Sequence, residues 1–463
     1  MQKNSQRTLA DGTRISDLIN LETREVAMRT LSDPELYELE MERIFAKTWV
    51  FLGHETEIPK SGDFMVRDLG SDSVLVTRDK DGINVSLNVC PHRGMKISTL
   101  DCGNTQAHVC IYHGWAFKPN GDFIGAPVEK ESMHGKLLTK EQLGLKKARV
   151  AIYGGLIFAT WNIDGPSFDE FLGDAKWYFD TLWCRTDKGM EVLGPPQRFT
   201  IRANWKTACE QSASDGFHVL TLHRWLSEVG PYRKPGSEGG GGDLTPEMYG
   251  SEVYTAHAHT MRCIELDRKI RRLTGKDPFE LSVKEKLEAL PPPGVTQEMI
   301  PELLRNLSED QLKVITWRPP QVGNFFPNGL FEFVYIPTPD GVIGVMALHA
   351  YVPKGPDKLE FVNWILAEKD TPPELKATML RLGVQLLGTS GMVEQDDSDT
   401  WPHQTLAAKG AVSKHITLKY QAMYETGKPE GWPGPGDVGD GFTKDDTQWR
   451  WWQYWHELMT AES

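Results

Sequence analysis

Two short hooks constrain this chain more than any other feature. They are Cys90-Pro-His92 and Cys110-Ile-Tyr-His113, with seventeen residues between His92 and Cys110. Each hook puts one thiolate and one imidazole on a tight turn, and a strand pair between them can bring the hooks together. Two kinds of metal suit four such ligands. A structural zinc takes all four around one tetrahedral ion. A [2Fe-2S] cluster takes both thiolates on one iron and both imidazoles on the other. The flanking residues favour the cluster: Gly94 and Gly114 let backbone come close to bulky inorganic sulfides, and Trp115 can wall off water. Cys102 lies between the hooks without a partner at useful spacing and reads as a filler or loop thiol. Six cysteines in 463 residues make no disulfide framework, so a reduced, cytoplasmic setting is expected.

The surroundings of the hooks read as all-β. From about Trp49 to Trp161 short apolar runs alternate with turns, among them the hairpin signals Asp81-Gly82 and Asn120-Gly121. Ahead of this unit, Ser32, Pro34 and Glu35 have the form of a capped helix start, predicting a helix over Asp33–Lys47. Behind it, helices are expected at Phe168–Trp183, at Ala203–Trp225 and after Pro373. Strands are expected at Leu312–Trp317, Leu330–Ile336, Ile343–Val352 and Leu359–Leu366. Gly236–Asp243 (GSEGGGGD) reads as a mobile loop, and Glu265–Leu290, rich in Lys, Arg and Glu, as a solvated insertion. Trp449, Trp451, Trp452, Tyr454 and Trp455 crowd the tail and suit a docked core helix better than an aromatic ligand cage. The expected division is therefore an N-terminal helical segment (1–48), a metal-binding β domain (49–165) and an α+β catalytic domain (166–463).

That last domain carries a second constellation. Asp215 and His218 are three apart and can share a helix face. His218 and His223 are five apart, about 140° around an ideal helix, so they face one ion only if the helix breaks or widens near Val219–Leu222. Glu394-Gln-Asp-Asp397 supplies carboxylates at a turn after a helix. Two imidazoles and one carboxylate on one face of iron leave the opposite face open.

CPHRG at Cys90–Gly94 and CIYHGWAF at Cys110–Phe117 resemble the signature of Rieske iron–sulfur domains, in the version found in the large (alpha) subunits of Rieske non-haem iron ring-hydroxylating dioxygenases. EQSASDGFHVLTLH resembles those subunits' iron-binding segment, and GMVEQDDSDTW their later carboxylate segment. The resemblance implies Cys90 and Cys110 on one cluster iron, His92 and His113 on the other, and His218, His223 and Asp397 on a mononuclear Fe(II), with Asp396 the alternative carboxylate. It gives Asp215 a bridging role between His218 and a neighbouring subunit's cluster. Gln211 stands where many relatives have Asn, and its longer amide either reaches iron-bound water or turns aside. A catalytic domain of helix-grip (START-like) fold, a curved antiparallel sheet around a long helix, is implied as well. So are a small beta subunit in an α3β3 hexamer, with a homotrimer as the variant, and a separate ferredoxin or reductase that draws on NADH.

Other classes are disfavoured. The balance of 51 Lys+Arg against 64 Asp+Glu, −13 overall, does not suit non-specific nucleic-acid binding. The longest nearly uncharged apolar stretch, Val150–Trp161, is too short to cross a bilayer, and the polar N-terminus lacks a secretion signal. No GxGxxG fingerprint marks an NAD or flavin domain of the chain's own. Phe217, Val219, Leu222, Leu387, Met392 and Val393 lie near the ligands in sequence and predict an apolar substrate pocket. The expected reaction is dioxygenation of an aromatic ring to a cis-dihydrodiol, with polycyclic hydrocarbons such as phenanthrene preferred. An aromatic carboxylate would need Arg224 or Arg262 in the pocket. Monooxygenation or demethylation is the nearest rival, and a plain Rieske electron carrier would use the first constellation alone.

Overall fold

The computed structural model describes residues 8–127, 138–225, 249–338, 341–388, 390–422, 427–441 and 443–461; the GSEGGGGD stretch lies outside them. The chain forms two compact units, Met41–Pro166 and the combination of Met1–Glu40 with Ser167–Ser463.

The smaller unit is built from short antiparallel strands. Its four-stranded sheet has the order Ile83–Leu87, Asp72–Arg78, Asp63–Leu69, Cys102–Asn104. Phe123–Gly125, Ala116–Phe117 and His108–Val109 form one three-stranded sheet, and Arg149–Tyr153, Leu156–Thr160 and Val50–His54 form another. Both hairpin signals sit at turns: Gly82 and Gly121 have positive φ. Cys90 and Cys110 are buried in a cluster with Phe64, Leu75, Trp115, Phe117 and Phe123.

The larger unit is organised by a nine-stranded antiparallel sheet. Its path runs Met190–Val192, Lys358–Glu368, Gly341–Gly355, Gly329–Thr338, Pro320–Phe325, Thr260–Ile264, Gly250–Tyr254, Asp437–Asp440, and Gln197–Ile201 shares the outer edge of Lys358–Glu368 with Met190–Val192. The sheet is open. The expectation of a curved sheet gripping one long helix is therefore corrected: among the described residues no sheet is curled or closed. Short strands of three and four residues terminate it at the two ends, so among the described residues no pairing joins one end to the other. Separate helices cover different strands instead of one long helix filling a grip. Pro373–Leu387 lies on Gly341–Gly355 and Lys358–Glu368, Trp205–Gln211 on Gly341–Gly355, and Asp446–Thr460 on Gly250–Tyr254.

Local chemistry explains the other departures. Leu312–Trp317 is helical, within Glu309–Trp317, because Ser308 and Gln311 close a capping box that starts a helix and buries Leu312 and Ile315 together. The first helix is Pro34–Glu40, followed by a π turn at Met41–Phe45. Asp33, not Ser32, accepts from the first free N–H groups, while the Ser32 hydroxyl donates to the Ala408 carbonyl. Glu265–Leu290 contains two α-helices, Asp267–Thr274 and Val283–Ala289, whose Ile270 and Leu287 are buried, with a 3-10 turn at Pro278–Glu280 between them. The aromatic tail is a helix with Trp449, Trp451, Trp452 and Trp455 buried, as expected of docked core.

Candidate functional site

In the smaller unit the two hooks have the same backbone form. Cys90 N–H donates to the Met95 carbonyl and Gly94 N–H to the Cys90 carbonyl; Cys110 N–H donates to Trp115 and Gly114 N–H to Cys110, all at 2.8–2.9 Å. Closing such a turn takes positive φ, which Gly94 and Gly114 supply at 74° and 70°. The His92 and His113 rings meet with centroids 4.6 Å apart, and Trp115 stacks on His92 at 4.9 Å. Two buried thiols and two imidazoles thus converge. This donor set fits a [2Fe-2S] cluster, whose two irons divide softer sulfur from nitrogen ligands. Cys102 is exposed and outside the set.

The second site begins at the Trp205–Gln211 helix, which the Asn204 side chain caps by accepting from the Lys206 N–H. It is anchored by a buried ion pair: Lys206 and Trp205 both donate to Glu40, which Trp455 also contacts. The predicted long helix to Trp225 stops at Gln211. Ser214 adopts a left-handed φ of 74°, and a single 3-10 turn follows at His218–Leu220. The break lies earlier than the sequence suggests, and the tight turn between the histidines supplies the rotation that an unbroken helix denies them. Their ring centroids are 5.1 Å apart. The carboxylates likewise sit not on a turn but in the first turn of the Glu394–Ala407 helix.

His218, His223 and Asp397 each offer a ligand atom within 4.8 Å of the others. His223 Nε2 lies 3.3 Å from Asp397 Oδ2, and His218 Nε2 3.8 Å from Asp397 Oδ1. Behind each imidazole stands another carboxylate: Asp215 Oδ2 is 3.0 Å from His218 Nδ1, and Asp396 Oδ2 is 3.3 Å from His223 Nδ1. Asp396 also accepts from the Trp225 indole at 2.6 Å. Carboxylates on both Nδ1 atoms turn both Nε2 atoms toward Asp397, which is how outer partners orient metal-binding histidines. Gln211 reaches into the ligand group, its amide nitrogen 3.3 Å from His218 Nε2 as well as bonded to the Asp397 carboxylate. Its Nε2 donates to Asp397 Oδ1 at 2.6 Å, and its Oε1 accepts from the Trp401 indole at 2.6 Å.

The surroundings of Asp397 and Asp215 favour their ionised forms. Burial works to raise Asp397, but hydrogen bonding to His223 and the nearby imidazoles outweigh it and hold it below the usual range. Asp215 is lowered in the same way by His218 and the Phe217 N–H, against the effect of its burial. His223 is raised by Asp397 and Asp396 in spite of burial. Two imidazole nitrogens and a carboxylate oxygen form a set that fits an iron ion with open positions.

The other sequence-predicted residues divide into two places. Leu387, Met392 and Val393 pack in one core cluster with Leu386, Ile365 and Met379. Phe217 is exposed and Val219 and Leu222 half-buried, on the histidine-bearing segment outside that cluster. Arg224 is exposed, whereas Arg262 is buried and donates to the Asp215 carbonyl at 2.8 Å. Sequence reasoning missed the supporting roles of Asp396, Trp225 and Trp401. Only Trp401, four residues after Asp397 on one helix, had a spacing that pointed to the site.

With this geometry in place, the comparisons with known proteins agree. The Rieske [2Fe-2S] domain family matches residues 48–147, and the ring hydroxylating alpha subunit catalytic domain family matches residues 168–426. The biphenyl 2,3-dioxygenase alpha subunit of Rhodococcus jostii is 32% identical over 400 residues, 84% of this chain and 78% of its own. The N,N-dimethyl phenylurea N-demethylase alpha subunit of a Sphingobium species is 30% identical over 479 residues, 98% of this chain and 96% of its own. The crystal structure of naphthalene 1,2-dioxygenase from Rhodococcus sp. bound to indole superposes with a TM-score of 0.82 at 32% identity, covering 95% of each chain. The fold and site define a Rieske non-haem iron oxygenase with a two-histidine, one-carboxylate iron site. The chain belongs to the family of ring-hydroxylating dioxygenase alpha subunits. Among the described residues no helix is long and apolar enough to cross a membrane.

Proposed function

We propose that this terminal oxygenase adds both atoms of O2 to adjacent carbons of an aromatic ring, giving a cis-dihydrodiol, with polycyclic hydrocarbons such as phenanthrene as substrates. The observation that carries the reading is the convergence of His218, His223 and Asp397 in a chain that also holds the Cys90, His92, Cys110, His113 set. When bound there, the cluster supplies electrons one at a time and the mononuclear iron supplies oxygen activation. His218, His223 and Asp397 hold the iron. Asp215 and Asp396 keep the two Nδ1 protons in place, and Gln211 with Trp401 fixes the rotation of the Asp397 carboxylate. Asp215 also offers a short hydrogen-bonded route from a neighbouring subunit's cluster to His218.

The relatives' designation as alpha subunits supports a beta subunit as partner; in the proposed enzyme this subunit is small, the assembly is α3β3 with a homotrimer as the variant, and a ferredoxin or reductase brings electrons from NADH. A second reading, N-demethylation by insertion of one oxygen atom, is favoured by one observation: the phenylurea demethylase matches nearly the whole chain. Reaction under 18O2 with the reconstituted electron donors separates the two. Two labelled oxygens in a cis-diol support dioxygenation. One labelled oxygen, or a dealkylated amine, sinks it in favour of the second reading.

A further inference from the structure

Apart from the iron site, the larger unit holds a second group of metal-ligating side chains. Glu332 is on the Gly329–Thr338 strand, His349 on the adjoining Gly341–Gly355 strand and Glu394 at the start of the Glu394–Ala407 helix. The strand register pairs Leu330 with His349 and Glu332 with Ala347, so Glu332 and His349 are diagonal neighbours on one face. Sequence alternation would put Glu332 opposite the buried Phe331 and Phe333. It is buried all the same, with 8% exposed, as are Glu394 at 5% and His349 at 0%.

One ligand atom from each of the three lies within 4.8 Å of the others. His349 Nε2 is 3.6 Å from Glu332 Oε1, and neither atom makes a hydrogen bond among the described residues. That separation is too long for a hydrogen bond. It does suit two ligands of one ion, which stand about 3.0–3.5 Å apart when each is about 2.1 Å from the metal. The iron site has the same character, with nitrogen–oxygen separations of 3.3 and 3.8 Å.

The chemistry of the group points the same way. Burial holds His349 neutral, its value lowered to about 3, so an imidazole lone pair is available. Nδ1 faces the Tyr351 hydroxyl at 3.4 Å, the ring also meets Asn363 and the Leu387 backbone, and Nε2 is the nitrogen that faces Glu332. Glu332 and Glu394 hydrogen-bond to each other away from water, which puts one proton between the two carboxyls, and burial raises both. Two carboxylates so placed need a proton or a cation between them. Arg262, which donates to the Asp215 carbonyl, also acts on Glu332 through its charge, and a bound metal ion would take the place of the proton that the two carboxyls share.

We infer that Glu332, His349 and Glu394 bind a second divalent metal ion of the zinc or iron class, distinct from the catalytic iron, which ties the Asp397-bearing helix to the sheet. One imidazole and two carboxylates form a donor set of that class, with water completing the coordination. Glu394 precedes Asp397 by one helical turn, so an ion holding Glu394 also sets the position of the Asp397 carboxylate.

Elemental analysis of holoenzyme with full cluster absorbance, together with an anomalous scattering map from its crystals, tests the inference. The expected result is about four metal ions per chain instead of about three, with an anomalous peak among Glu332, His349 and Glu394. Glu332→Gln and His349→Leu should each lose that one ion while keeping the cluster spectrum and the iron at His218, His223 and Asp397. Wild-type protein with about three ions and no peak at the three side chains overturns the inference, whatever the variants do. A fourth ion that persists in both variants overturns it too.

Discussion

Asp215→Asn changes one atom behind the iron site and tests how the site is held. Asp215 Oδ1 accepts from the Phe217 N–H at 2.7 Å and the His218 N–H at 3.3 Å, while Oδ2 faces His218 Nδ1 at 3.0 Å. An asparagine must turn its oxygen to the two backbone N–H groups, because its NH2 cannot accept from them. The NH2 then meets His218 Nδ1. Either two donors oppose each other, or the imidazole moves its proton to Nε2, the atom that faces Asp397. Loss of such an outer partner typically weakens metal binding by about 10–100-fold, equivalent to about 1.4–2.8 kcal/mol. Chelator competition for the mononuclear iron measures the effect, with the cluster's absorbance in the same sample as the control. The expected outcome is weaker iron binding by that factor and an unchanged cluster. Iron affinity within about twofold of wild type would refute the claim that Asp215 sets the His218 tautomer.

Four further outcomes are expected. Gln211→Leu leaves the Trp401 indole N–H and Asp397 Oδ1 without their 2.6 Å partner; metal-free protein should lose about 1–3 kcal/mol in chemical denaturation. Glu40→Gln strands the fully buried Lys206 ammonium and should cost about 3–5 kcal/mol, read as a lower denaturant midpoint at unchanged slope. Cys110→Ser should abolish the reduced-cluster EPR signal and turnover yet retain mononuclear iron, which elemental analysis will show. Burial pushes Glu210 up to about 8 from 4.5, so between those values the folded chain keeps a proton that the unfolded chain releases. Stability from this group is therefore complete below about 4.5 and declines as pH rises to about 8. Glu210→Gln should remove that decline, and melts of both proteins at about pH 5.5 and pH 7.5 compare the slopes.

The two metal sites were legible to different degrees. The hooks at Cys90 and Cys110 are local: each closes within a few residues, with glycine at the positive-φ position, so spacing and the flanking residues mark the candidate ligands. The iron site is not local. His218 and His223 belong together only because the helix stops at Gln211, and a propensity reading carried it on to Trp225. Asp396 and Asp397 were indistinguishable as a dipeptide; in the folded chain one faces His223 Nδ1 and the other Nε2. The strands at Leu330–Ile336, Ile343–Val352 and Leu359–Leu366 were legible as apolar runs, alternating only in the first, but Leu312–Trp317 was misread because such a run suits strand and helix alike until the Ser308 cap is considered.

By itself the sequence marked the two Cys-His hooks and their all-β surroundings, and through the family resemblance it pointed to His218, His223 and Asp397. These are properties of short segments, where turn geometry and residue chemistry act at close range. Tertiary structure alone decided that the large sheet stays open, that Gln211 grips the Asp397 carboxylate, and that Glu332, His349 and Glu394 meet in the core. Each of those depends on residues tens to hundreds of positions apart, brought together by strand register and helix packing that no local pattern encodes.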